Sequence, residues 1–80
     1  MAYNGWKNRA TWNVALWLNN DYELYQSAVE FMKGCKKRYP YMAFIKYHGL
    51  DGQRTPDGFK WNGQKLDYKA LNEMMNDLSK

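Results

Sequence analysis

Few residues in this 80-residue chain could do chemistry. His48 is the single histidine and Cys35 the single cysteine, so a histidine-based triad or metal cluster would have to be built around one imidazole. An internal disulfide needs two thiols and a thiolate zinc site needs more, so one cysteine excludes both. No Ser, Cys or carboxylate stands at a recognised motif spacing from His48. Asp21, Asp57 and Asp67 could pair as acid and base after folding. Each, however, sits at a turn or helix start, where a carboxylate already has a structural task. Gly49 and Gly52 do not make a phosphate-cradling loop. The expectation is a non-enzyme with no cofactor and no metal.

The denser signal is electrostatic. Lys33, Lys36, Lys37 and Arg38 place four cations within six residues, and Tyr39 and Tyr41 follow. Such a segment can grip phosphates while its rings stack on bases, or anchor a protein interface, where Tyr and Arg carry much of the binding energy. The plainer reading is a solvated helix C-terminus, where cations suit the helix dipole. The net charge of +4 is mild, but it is uneven. Residues 33–54 hold six cations against the one acid Asp51, whereas residues 57–80 hold four lysines and four acids. An electrostatic face therefore belongs to the middle third.

The elements that must position these residues follow from periodicity. Asn8 suits the N-cap of a helix over 9–19, with Ala10, Val14, Trp17 and Leu18 on one apolar face and Trp12 and Leu16 on another. A helix apolar on two sides is expected at the centre of the fold. Asn20-Asp21 breaks it and caps a second helix over 22–33, with Glu23 at capping-box spacing from Asn20 and Gly34 as the closing glycine. Pro40 fits the first turn of a third helix over about 41–48. Tyr41, Phe44, Ile45 and His48 would share its inner face, although a strand is an open alternative there. Asp67 caps a last helix over 68–78.

Between them, Asp51-Gly52, Thr55-Pro56-Asp57-Gly58 and Asn62-Gly63 are turn signals. Phe59 and Trp61 alternate as on a short strand, so 53–64 is either a small β-hairpin or an irregular segment. The Pro56–Gly58 turn could serve as a recognition tip, but Gly58 as a plain turn residue is favoured. Trp12 and Trp17 are assigned to the core. Trp6 and Trp61 stay open between core and a stacking platform. With aromatics at 18% of residues, the core should rest on Trp, Tyr and Phe rather than on Leu and Ile.

The motifs are familiar as a set. Asn4-Gly5-Trp6, Asn8, Thr11-Trp12, Val14, Leu16-Trp17 and Asn19-Asn20-Asp21 form an opening block; Thr55-Pro56-Asp57-Gly58, Trp61, Leu66-Asp67 and Leu71-Asn72-Glu73-Met74 form a second. In order and spacing, the two blocks resemble a family of short uncharacterised proteins of tailed phages, including cyanophages, and of bacterial genomes and plasmids. The resemblance implies a phage or mobile-element setting and carries no site residue, because the family has no assigned activity. The basic run 33–38 departs from the family pattern, which is more acidic there.

Length bounds the rest. Eighty residues make one domain over 1–80, near the lower limit for folding without staples. No apolar run approaches the roughly 20 residues of a membrane span, no signal peptide is evident, and the cysteine usage suits a bacterial cytoplasm. The fold expected is mainly α, a compact bundle of three to four helices. The function expected is a small non-catalytic binding protein acting on a host or phage protein. The alternative is a sequence-tolerant nucleic-acid binder using the same segment: Lys33, Lys36, Lys37, Arg38, Tyr39 and Tyr41. A monomer or a weak homo-oligomer fits either.

Overall fold

A computed structural model describes residues 4–34 and 38–78. Among these residues four helices follow in order: α1 (Arg9–Asn20), α2 (Tyr22–Lys33), α3 (Pro40–Tyr47) and α4 (Tyr68–Leu78). The fold is mainly α, and no strand forms among the described residues. The 53–64 segment holds a single antiparallel bridge, Arg54 to Lys60, where a hairpin was the alternative. Among the described residues no helix is long and apolar enough to cross a membrane.

Local chemistry sets the helix ends. The Asn8 side chain accepts from the Thr11 amide at 2.9 Å and opens α1. Asp21, not Asn20, caps α2 by accepting from the Leu24 amide at 3.1 Å. Asn20 stays helical and donates its side-chain amide to the Leu16 carbonyl, so the Asn20–Glu23 capping box does not form. Gly34 closes α2 with φ −108°, without entering the left-handed region. Gly49 does enter it, at φ 75°. The Leu50 amide there reaches the Ile45 carbonyl at 2.8 Å and the Gly49 amide reaches Lys46 at 3.2 Å, the paired bonds of a Schellman ending. Asp67 caps α4 through the Ala70 amide.

Val14, Ala15 and Leu18 of α1, Ala28 and Met32 of α2, Tyr41, Phe44 and Ile45 of α3, and Leu71 and Met75 of α4 form one core with Trp61 and Leu66. Three expectations are corrected here. First, α2 rather than α1 touches all three other helices, helped by the side-chain economy of fully buried Ala28. Second, the core mixes aliphatic, methionine and aromatic side chains. Third, Trp61 is the buried indole, 3% exposed, while Trp6, Trp12 and Trp17 are half-buried. Beside Val14, Ala15 and Leu18, α1 buries the polar Thr11 and Asn13, which hydrogen-bond to Asp67, Thr55 and Asp57 of the non-helical 50–67 segment.

Those bonds fix the segment that has no ladder of its own. Fully buried Asn13 donates to Asp57 Oδ2 at 2.8 Å and accepts from the Thr55 hydroxyl at 2.7 Å. The Trp17 indole N–H also donates to Asp57 Oδ2, at 2.9 Å. The Thr11 hydroxyl donates to Asn8 Oδ1 and accepts from the Asp67 amide, while Asn8 Nδ2 donates to the Lys65 carbonyl. The Tyr41 hydroxyl donates to the Trp61 carbonyl at 2.6 Å inside the core. Among the described residues no buried side-chain polar atom is left without a partner, as stable interiors require.

Candidate binding face on helix α3

The basic-aromatic segment divides when it folds. Lys33 ends α2, exposed and ion-paired with Glu30 at 3.1 Å. Lys36, Lys37 and Cys35 lie outside the described residues. Arg38 and Tyr39 are exposed at the start of α3, and Tyr39 keeps 63% of its surface in water. Tyr41 does not belong to the site. It is fully buried, its ring lies 6.0 Å from that of Tyr68, and its hydroxyl is spent on Trp61. Helix periodicity is the cause: two residues after Tyr39 the chain has turned by about 200°, from water to core.

That geometry recruits other residues instead. Tyr39, Met42, Ala43 and Lys46 recur at helical spacing on the outer side of α3. With Arg38 they line an open groove of about 450 Å³. Tyr39 and Met42 also form one wall of a second groove, of about 240 Å³, whose other wall is Tyr68 and Asn72. Asn72 has a second task, since its Oδ1 accepts from the Tyr41 amide at 2.9 Å. This supplies the acceptor for the start of α3, which has no capping side chain of its own. The face is therefore a tyrosine and a methionine between two grooves, with Arg38 and Lys46 on one side. The i, i+3, i+4 spacing of 39, 42, 43 and 46 would have found it from sequence.

A family of unknown function, DUF7249, matches residues 1–80. The chain belongs to it. No curated protein and no solved structure matches. The site in this DUF7249 chain thus rests on its own geometry.

The candidate catalytic residues are separately accounted for. His48 does not face inward as expected; it is exposed at the C-cap of α3, its ring 5.4 Å from that of Phe44. Asp21 and Asp67 cap helices. Asp57 is held by Asn13 and then Trp17, whose hydrogen bonds keep its carboxyl below the usual aspartate range. The Thr55–Gly58 turn closes with a 2.8 Å bond from the Gly58 amide to the Thr55 carbonyl, with Gly58 at φ 95°. Among the described residues no three His, Cys, Asp or Glu side chains gather to hold a metal.

Proposed function

We propose that this DUF7249 chain is a small non-catalytic binding protein of phage or mobile-element type. It docks the outer face of α3 on a protein partner in the bacterial cytoplasm. The observation that carries the reading is Tyr39, 63% exposed between two grooves. Its neighbours Met42 and Arg38 are of the types enriched at protein interfaces. A tyrosine gives large contact area for two rotatable angles, and the adjacent grooves give a partner's side chains somewhere to seat. Arg38 and Lys46 favour an acidic partner surface, which speeds encounter more than it tightens the complex.

The test is capture from nuclease-treated host extract with the intact chain and with Tyr39→Ala and Arg38→Glu variants. A partner retained by the parent should be lost by both, with Tyr39→Ala weakening the purified complex by about 30-fold, as expected of a hot spot of roughly 2 kcal/mol. Equal retention by all three proteins refutes the reading.

A sequence-tolerant nucleic-acid interaction at the same face is the second reading, favoured by two cations that share a groove with an exposed ring. Burial of Tyr41 weakens it, because the face is left with Tyr39 alone of the two rings that were to stack. Binding through Arg38 and Lys46 would decline with salt at a log–log slope of about −1.4 on single strands, from two contacts.

A further inference from the structure

The fold builds a second cationic cluster from residues scattered through the sequence, away from α3. Arg54 and Lys60 form the antiparallel bridge. It is flanked by bonds from the Thr55 amide to the Phe59 carbonyl and from the Trp61 amide to the Gln53 carbonyl. That pattern makes Arg54 and Lys60 a non-hydrogen-bonded pair, the type whose side chains lie closest together. Like charges set directly opposite destabilise the pairing. The turn that follows, closed by the Gly63 amide on the Lys60 carbonyl, brings Lys65 to the same groove, a recess of about 230 Å³.

Helix α1 adds to the concentration of charge. Asn8 bonds the Lys65 carbonyl, which sets the start of α1 beside the groove. Arg9, the first residue of α1, lies over the Phe59 ring at 5.6 Å. A cation there opposes the helix dipole, and the first turn of α1 holds no acid. Among the described residues the groove lining holds no acid either, and the Lys33–Glu30 ion pair lies elsewhere. Asp57 is near enough to interact with Arg9, but its carboxylate is engaged by Asn13 and Trp17. The Arg54 guanidinium donates to the Gly58 carbonyl at 2.8 Å, which keeps it at the groove, and the space beside the Gly58 Cα is open, so a ligand can approach the backbone there.

We propose that the groove bounded by Arg54, Lys60 and Lys65 is a phosphate-binding site. One phosphate accepts from these cations and offsets their mutual repulsion. The recess is below the 300–1,000 Å³ usual for small-molecule sites, which suits a phosphate with part of its sugar. The group can come from a nucleic-acid backbone or from a free nucleotide or phosphate.

Backbone amide shifts of the full chain are followed on adding inorganic phosphate, a mononucleotide, or a twelve-residue oligothymidylate, each against sodium chloride of equal ionic strength. Shifts at Gly58, Gly63 and Lys65 beyond the chloride control are expected. Response to all three ligands identifies a small-phosphate site, and response to the oligonucleotide alone identifies a backbone site, with a log–log salt slope near −2 for three contacts. Lys60→Gln with Lys65→Gln, both exposed positions, should abolish the shifts. It should also cancel the rise in melting temperature that phosphate gives the parent by mass action. An Arg38→Glu, Lys46→Glu variant should leave both intact. Shifts no larger than chloride produces, or their loss in the α3 variant instead, overturn the proposal.

Discussion

Replacing Tyr41 by Phe tests the polar bond inside the core and should do so in opposite directions at two pH values. The Tyr41 hydroxyl is fully buried and donates at 2.6 Å to the Trp61 carbonyl. Burial, with a smaller contribution from the Tyr68 charge, pushes its ionisation far above the ordinary tyrosine value. At neutral pH, Tyr41→Phe removes the bond and strands the carbonyl, at a cost of about 1–3 kcal/mol. In a domain of this size that is about 4–8 °C of melting temperature per kcal/mol. Above pH 10 the argument reverses. The unfolded chain releases the phenol proton near pH 10 while the folded chain keeps it. The stability this group contributes is thus whole below pH 10 and falls by up to about 1.4 kcal/mol per further pH unit. The phenylalanine variant does not pay this proton cost. Tyr68, also raised by burial, is present in both proteins and largely cancels from the difference. Urea unfolding followed by circular dichroism at intervals from pH 7 to 12 should show the gap between the proteins closing above pH 10 and vanishing between roughly pH 10.7 and 12. A gap that stays constant over this range would refute the claim that Tyr41 is neutral and buried.

Four further outcomes follow from the structure. Asn13→Ala leaves the Thr55 hydroxyl and Asp57 without their shared partner, and should cost about 2–3 kcal/mol by denaturant melt. Asp57→Asn should flatten the acid limb of stability: a carboxyl held below its ordinary range stabilises above that range and loses its effect as pH falls through its folded value, so parent and variant should converge in acid. Gly49→Ala forces a Cβ into the left-handed region at φ 75° and should cost about 1–2 kcal/mol, read as melting temperature. Tyr39→Ala should leave stability within about 0.5 kcal/mol; a larger loss would mean the ring is structural.

The helices were legible because their signals are local. Asn8, Pro40 and Asp67 mark starts that depend on neighbours three or four residues away, and Gly49 an end of the same kind. Burial was harder to read. The α1 sequence shows two apolar stripes, yet its packing is decided by Asn13 and Thr11 meeting Thr55, Asp57 and Asp67 far along the chain. Periodicity carries no information about such partners, and a buried Asn looks in sequence like a solvated one. The same limit explains the candidate faces. The basic run is visible because it is contiguous, and Tyr41 was placed with it by adjacency, although helical rotation removes it. Arg9, Arg54, Lys60 and Lys65 share no stretch of sequence. They meet only through the bridge, the turn at Gly63 and the Asn8 bond.

The side chains that hold 50–67 to α1 span long sequence separations: 57 positions for Asn8 to Lys65, 44 for Asn13 to Asp57 and 56 for Thr11 to Asp67. Closing loops of that size is entropically slow relative to winding a helix. During synthesis, α1 therefore emerges with its amide and hydroxyl groups matched only by water until residues 55–67 have followed it out. Arrival of the 50–67 segment, rather than formation of any helix, is the event that seals this side of α1.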